Sequence, residues 1–318
     1  MSNGPVVILG GSGFVGRSLC EHLARAGYAA KVLTRARLHA RELWMLPNTE
    51  VVNCNVYDEA ALAQCLQGAI AVINLVGILN EPGDSGAGFR HAHVDLTRTV
   101  LAACHQAHVG RYLHMSALNA APDAPSHYLQ TKGEAEALVA ASNDLAWTII
   151  RPSVIFGPGD GLFVRFHDLL SLAPVLPLAC AAARFQPVCV VDVAEAFVTA
   201  LNDKSTVGQR YDLGGPRVMT LAEIVRYGLA TSGRCRLILP LGAGLSRVLA
   251  EVMEHLPGKP FSRDNLRSAN LDSVLPAGHD GLAALGIAKT PVEAIVPGYL
   301  GHTGSLARYD RLRRHAGR

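Results

Sequence analysis

The sequence predicts an α/β fold: a doubly wound parallel sheet with helices on both faces, followed by a small irregular C-terminal cap domain. Three observations predict it. Short apolar runs alternate with amphipathic helical patterns through the first half of the chain, as expected of strands buried on both faces. A glycine-rich junction, "VVILGGSGFVG", joins the first run to the first helical pattern. Beyond Gly157 the alternation loosens into short elements.

The elements follow in order. "PVVILGG" (5–11) reads as a buried strand, and "FVGRSLCEHLARAG" (14–27) as a helix ended by Gly27. "AAKVLTR" (29–35) is a second strand and "RLHARELWML" (37–46) a helix. "TEVVNCN" (49–55) is a third strand, and "DEAALAQCLQG" (58–68) a helix closed by Gly68. "AIAVINLVG" (69–77) is a fourth strand, followed by a loop rich in Gly, Asp and Pro at 80–88. A long helix is predicted over 89–109 and a fifth strand, "RYLHMSA", over 111–117. "SHYLQTKGEAEALVAAS" (126–142) is a helix and "AWTIIRPSVIFG" (146–157) a sixth strand. A helix at 193–203, the strand "QRYDLGG" (209–215) and helices at 220–232 and 242–256 complete the reading. The nucleotide-binding domain is then expected over 1–156, with 184–215 returning to it. The cap is expected over 157–183 and 216–302, and a basic tail over 303–318.

Composition narrows the function. The 318 residues are 49% hydrophobic and 17% charged, enough for a sizeable core. A net charge of +3 gives no case for nucleic acid. Cys20, Cys54, Cys65, Cys104, Cys180, Cys189 and Cys235 are scattered and lack any CxxC, so they read as core residues of a reduced compartment. The chain enters a strand without a signal-like segment, so a cytoplasmic protein is expected. The longest uncharged run, Leu169 to Ala183, contains Pro174 and Pro177 and falls short of the ~20 residues that span a bilayer.

The glycine spacing G-x-x-G-x-x-G carries chemistry. Gly10 allows a tight turn, Gly13 lets backbone approach a pyrophosphate, and Gly16 lets helix and strand pack closely. Free N–H groups at the helix start suit phosphate. Together these predict a Rossmann fold binding a nicotinamide dinucleotide. Arg35 ends the second strand, where an acid would accept from the ribose of NAD, with Arg37 close by. A guanidinium there suits a 2′-phosphate, so NADP(H) is preferred and NAD(H) is the alternative.

"GGSGFVG", "NVYD", "YLQTK" and "RPSVIFGPGD" together resemble the extended and atypical short-chain dehydrogenase/reductases over essentially the whole chain. "MSALNA", "FQPVCVVDVAEA" and "LAALGIAKTPVE" are similar to the branch holding the alpha-subcomplex subunit 9 family of respiratory complex I. That branch includes proteins linked to ubiquinone biosynthesis. The resemblance implies cofactor contacts at Gly10, Gly13, Phe14, Val15 and Gly16. It implies Asn55 and Val56 beside the adenine, with Asn in place of the family's Asp. It also implies Leu75, Val76 and Gly77 beside the ribose, and Pro152 and Ser153 near the nicotinamide.

Tyr128 and Lys132 lie four apart on a predicted helix, hence one above the other with ~6 Å of rise. A lysine ammonium beside a phenol favours the phenolate, so the pair can exchange a proton with a carbonyl or alcohol. The family's lysine also binds the nicotinamide ribose. Ser116 is the candidate third catalytic hydroxyl, although the natural register puts Ala117 at the family's position, and His93 falls where the family often has Asn.

Other candidates have plainer readings. Asp192 with Glu195, and Thr220 with Glu223, read as capping boxes. His91 and His93 do not share a helical face, so no metal site is expected. Leu245, Leu249, Val252, Met253 and Leu256 form a helical apolar stripe, read first as cap core and second as a surface for a prenyl-type substrate or membrane partner.

The leading expectation is an NAD(P)-binding reductase in quinone metabolism or complex I support, acting on an apolar carbonyl. It would sit in the cytoplasm, touching a membrane complex at the inner membrane through its apolar cap or basic tail. The alternatives are a non-catalytic nucleotide-binding assembly subunit and a sugar-nucleotide epimerase or dehydratase.

Overall fold

The computed structural model describes residues 4–172, 175–233, 236–255 and 261–300; Cys235, Leu256 and the basic segment 303–318 lie outside them. In chain order the first elements are β1 (Val6–Leu9), α1 (Phe14–Arg25), β2 (Ala30–Thr34), β3 (Thr49–Asn53), α2 (Glu59–Leu66), β4 (Ala71–Asn74), α3 (Ala87–Arg90), α4 (Leu96–Gln106), β5 (Arg111–Met115), α5 (His127–Ala140) and β6 (Ala146–Pro152). There follow β7 (Ile155–Phe156), α6 (Phe163–Leu172), β8 (Val175–Leu178), β9 (Arg184–Phe185), β10 (Val188–Cys189), α7 (Val190–Asn202), β11 (Gln209–Leu213), β12 (Met219–Thr220) and α8 (Leu221–Thr231). The last are β13 (Leu237–Pro240), α9 (Ala243–Glu254), α10 (Arg263–Ala269), α11 (Gly281–Ala284) and α12 (Val292–Leu300).

Seven strands form one sheet in the order β11-β6-β5-β4-β1-β2-β3, and every pairing in it is parallel. The chain reverses its direction of travel between β1 and β4, so the crevice at their carboxyl ends is the switch point where such sheets hold ligands. Val7, Leu9, Val72, Tyr112 and Ile149 meet Leu62 and Leu66 of α2, Val100 and Cys104 of α4 and Val139 of α5 on one face. Val6 and Ile8, pointing the other way, are equally buried, so both faces are covered.

The chain divides into two compact units. The first holds the residues up to Pro152, Val191–Leu213 and Ala277–Ile287. Segment 277–287 was read with the cap; it belongs here because Gly281 lies against β11, where a Cβ would stand 2.7 Å from the Asp212 carbonyl oxygen. The second unit takes Ser153–Val190, Gly214–Pro276 and the residues from Ala288. It includes 153–156 and 184–190, because β7 and β10 pair with each other, Ile155 opposite Val188. Asp160 is buried there, accepting from the Gly157, Leu162 and Val164 amides and from the Tyr299 hydroxyl.

Local departures have physical causes. Residues 37–45 form a 3-10 segment kinked at Ala40 rather than an α-helix. The predicted helix over 89–109 is interrupted by a π turn at His91–Asp95. α7 starts at Val190, so Asp192 sits in its first turn and not at its cap, whereas Thr220 and Glu223 do form a capping box. The predicted stripe on α9 is split: Leu245 and Val252 are 62% and 57% exposed, as is their neighbour Val248 at 58%, while Leu249 and Met253 are half-buried. Ser246, Ala250 and Glu254 face inward instead, Glu254 accepting from Arg263.

Candidate functional site

The first unit brings most of the expected residues to the carboxyl ends of β1, β4 and β5. After β1, Gly10 takes φ +78°, the left-handed region that glycine occupies without strain. Its carbonyl accepts from the Gly13 amide at 3.0 Å, closing the turn. Gly13 caps α1 in extended geometry with no side-chain cap, and the first turn carries no acid. The leading amides of α1 therefore keep their donors for an anion. A Cβ on Gly16 would lie 2.4 Å from Gly11 Cα, so only glycine lets the helix sit this close to the loop. Phe14 is half-buried, and Val15 is buried, leaving its backbone as what it can offer.

Arg35 is exposed just beyond β2. Arg37 places its guanidinium over Trp44, 5.7 Å from the ring centre. Asn55 is exposed, and its side-chain oxygen already accepts from the Tyr57 amide at 3.2 Å, as an Asx turn does. Val56 is buried behind it. Tyr57 stacks on His91 at 4.2 Å, a contact the π turn makes available.

Lys132 is buried, and its ammonium donates to the Met115 carbonyl at 3.1 Å and the Val76 carbonyl at 3.4 Å. Burial lowers its pKa to about 8, with Glu136 opposing. Glu136 is itself held by Arg151 and Arg210. Gly77 makes room for the ammonium: a Cβ there would meet Lys132 Nζ at 3.1 Å and His93 Nε2 at 3.5 Å. Leu75 is buried, its amide continuing the ladder to Leu9.

Tyr128 stands one turn before Lys132 and packs against Ala117, Ala124 and Leu129. Burial raises its pKa to about 12. His93 meets its ring edge-on at 5.6 Å. Nε2 of His93 accepts from the Ile78 amide at 3.2 Å, so Nδ1 carries the proton and donates to Thr131 Oγ1 at 2.9 Å. Thr131 in turn donates to the His127 carbonyl. Burial, then the Lys132 charge, lowers the pKa of His93 to about 2, so it stays neutral. It fastens the loop after β4 to α5.

Two expected residues are placed differently. Ser116 continues the β5 ladder, its amide donating to Ile150, and its hydroxyl is buried without a protein partner. Alternation along the strand points it to the same side as His114, while Ala117 holds the place against Tyr128. Pro152 ends β6. Ser153 belongs to the second unit, where its hydroxyl bonds to Ser273. Among the described residues no cluster of His, Cys, Asp or Glu is arranged to hold a metal.

Two features escaped the sequence reading. A Cβ on Gly133 would lie 2.5 Å from the Ala121 backbone, so this glycine seats the short loop after β5 on α5. A mid-helix glycine costs ~1 kcal/mol, which was the available signal. Glu81 is buried and accepts from the Gly86, Gly88 and Phe89 amides, tying down a loop whose composition suggests freedom.

The geometry is that of a dinucleotide cradle, and the comparisons make the chain similar to NAD(P)H-binding proteins and reductases. Residues 10–162 match the NAD(P)H-binding family. The chain is related to the alpha subcomplex subunit 9 of NADH dehydrogenase [ubiquinone] 1: it is 28% identical to the Mus musculus protein over 90% of this chain and 77% of that one. It is 31% identical to a ceramide reductase of Caulobacter vibrioides over 62% of this chain and 61% of that one. It is 29% identical to a 2-alkyl-3-oxoalkanoate reductase of Stenotrophomonas maltophilia over 49% and 52% of the two chains. The fold matches a nucleoside-diphosphate-sugar epimerase of Staphylococcus aureus with TM-score 0.73 at 14% identity, covering 92% of this chain and 99% of that one. No helix among the described residues is long and apolar enough to cross a membrane.

Proposed function

We propose that this chain binds NADP(H) and reduces an apolar carbonyl compound, in quinone metabolism or beside a respiratory complex. The observation that carries the reading is the buried Lys132 ammonium, lodged under Gly77 between the Val76 and Met115 carbonyls, one helical turn from Tyr128. Nothing in a protein core asks for a lysine there, since burying an ammonium is costly.

The bound dihydronicotinamide would supply the hydride. Gly10, Gly13 and the α1 amides hold the pyrophosphate, and Lys132 orients the ribose. Tyr128, protonated at neutral pH with its pKa raised to about 12, gives its proton to the carbonyl oxygen. That protonation state suits reduction better than oxidation. Arg35 favours the 2′-phosphate. The names of two relatives, ceramide reductase and 2-alkyl-3-oxoalkanoate reductase, support an alkyl-bearing substrate. The exposed stripe Leu245, Val248 and Val252 supports contact with a membrane complex.

Ala117 favours a second reading, a nucleotide-binding assembly subunit with little turnover. A substrate oxygen held by Tyr128 would lack a second hydroxyl donor there. The relation to subunit 9 over most of the chain agrees with it.

The test is calorimetric titration with NADPH and NADH, then turnover on a long-chain ketone and on a quinone. Tighter binding of NADPH is expected, together with slow ketone reduction that Tyr128→Phe abolishes while cofactor affinity is kept. Activity that survives Tyr128→Phe would show that another residue carries the proton. Equal affinity for the two cofactors would remove the role given to Arg35.

A further inference from the structure

β2 and β3 end side by side, with Thr34 opposite Asn53. The chain leaving β2 is pinned there twice. The Ala36 amide donates to Thr34 Oγ1 at 3.3 Å, and the Arg37 amide donates to Asn53 Oδ1 at 3.0 Å. Ala36 is extended between two arginines, with φ −144° and ψ 101°. Side chains two apart on extended backbone leave on the same side, so Arg35 and Arg37 form a pair. The segment 37–45 is also tied to the glycine loop. Its Glu42 pairs with Arg17 at 2.8 Å, and Arg17 Nε donates to the Ser12 carbonyl at 3.1 Å. Ala40 and Leu43 are buried and seat the segment, while Trp44 is 48% exposed. Much of the indole thus lies outside the core, and the Arg37 guanidinium sits over its ring, 5.7 Å from the centre.

A guanidinium stacked on a ring uses only its face. Its N–H groups lie in the plane and remain to donate. Stacking also settles much of a long side chain's freedom before an anion arrives. Among the described residues no carboxylate is paired with Arg37. We propose that Arg37, held on Trp44, is a second fork for the 2′-phosphate beside Arg35, and that Trp44 is the positioning residue that strengthens the preference for NADP(H). Both roles rest on the dinucleotide site proposed above. A phosphate monoester offers three acceptor oxygens. One guanidinium takes two of them bidentately, which leaves one for its neighbour. NADH has only a hydroxyl at that position, so it gains nothing from Trp44.

The experiment is calorimetric titration of the full chain with NADPH, NADH and adenosine 2′,5′-bisphosphate. Arg37→Met should weaken NADPH and the bisphosphate about tenfold, as a charge-assisted contact is lost, and leave NADH unchanged. Trp44→Ala should weaken the same two ligands about threefold, the size of an exposed cation–π contact. Trp44→Phe, which keeps a ring, should restore most of that loss. Unchanged NADH affinity reports that each variant is folded. An Arg37→Met protein that keeps its NADPH affinity would overturn the second fork. Weakening in Arg37→Met with none in Trp44→Ala would overturn the positioning role. Equal losses for NADPH and NADH would show that the segment only supports the fold, and would overturn both roles. Wild type that binds NADPH and NADH equally would overturn both while the dinucleotide site stands. Wild type that binds neither would refute the site itself and the two roles with it.

Discussion

At the β1 end of the crevice the cradle is made of backbone: the Gly10 turn, the extended Gly13 cap and the first amides of α1. At the β5 end it is made of side chains: Tyr128 on a bed of alanines, Lys132 buried against two carbonyls, and His93 locked by Ile78 and Thr131. The backbone cradle needs only glycines at the right places. The side-chain end needs several independent groups, and one of them is an alanine. Holding a nucleotide therefore asks less of the sequence than reacting with it. The two ends can change separately because one depends on φ and close approach, the other on donor placement.

The sharpest way to break the contrast is to put a side chain where only backbone fits. Gly16→Val would drive a methyl group into Gly11 Cα, which cannot rotate away. Overpacking costs ~3 kcal/mol or more in such a place, so thermal unfolding should drop steeply or the chain should fail to fold. Gly13→Val is its control. Its nearest neighbour is the Gly10 oxygen at 3.2 Å, so the fold should survive. NADPH affinity should still fall about 100-fold, ~3 kcal/mol, as charge-assisted contacts are lost. A Gly13→Val protein that binds normally would move the phosphate elsewhere.

Next in size is a gain. Ala117→Ser puts a hydroxyl against Tyr128. A missing donor of this kind costs ~2.7–4 kcal/mol, so ketone turnover should rise about 100-fold with NADPH affinity unchanged. No gain would mean that the substrate oxygen does not lie beside Ala117.

Lys132→Met should weaken NADPH binding about tenfold, the loss of one charge-assisted contact. It also has a pH signature. Burial lowers Lys132 from 10.5 to about 8 in the folded protein. Between those values the unfolded chain holds a proton that the folded protein has released, so stability rises with pH across that window. The difference in stability between wild type and Lys132→Met should therefore shift in favour of wild type from pH 8 to pH 10.5. A constant difference would show that the ammonium is not desolvated.

The smallest effect belongs to the α9 surface. Val248 is 58% exposed, so Val248→Ser should change stability by less than ~0.5 kcal/mol. A larger loss would show that this face is covered in the folded protein.

The alternation of strands and helices, the order in which they arise and the glycine turn were all legible in the sequence. Periods of 2 and 3.6 and the need for φ above zero are local properties, written residue by residue. That Tyr128 and Lys132 lie one turn apart on α5 was legible for the same reason, since spacing on one helix is local. The π turn at His91–Asp95 carries no compositional mark, and without it the contact of His91 with Tyr57 could not be foreseen. Ser116 and Ala117 differ by one strand position, which is a reversal of face; their relation to Tyr128 came from how β5 and α5 meet. The apolar stripe of α9 has the right period for a buried helix, yet Leu245 and Val252 are exposed and Leu249 and Met253 only half-buried, while Ser246, Ala250 and Glu254 are buried, Glu254 paired with Arg263. Periodicity says that a helix has two sides, but which side is buried depends on partners distant in the chain, and that was decided only when the tertiary structure brought them together.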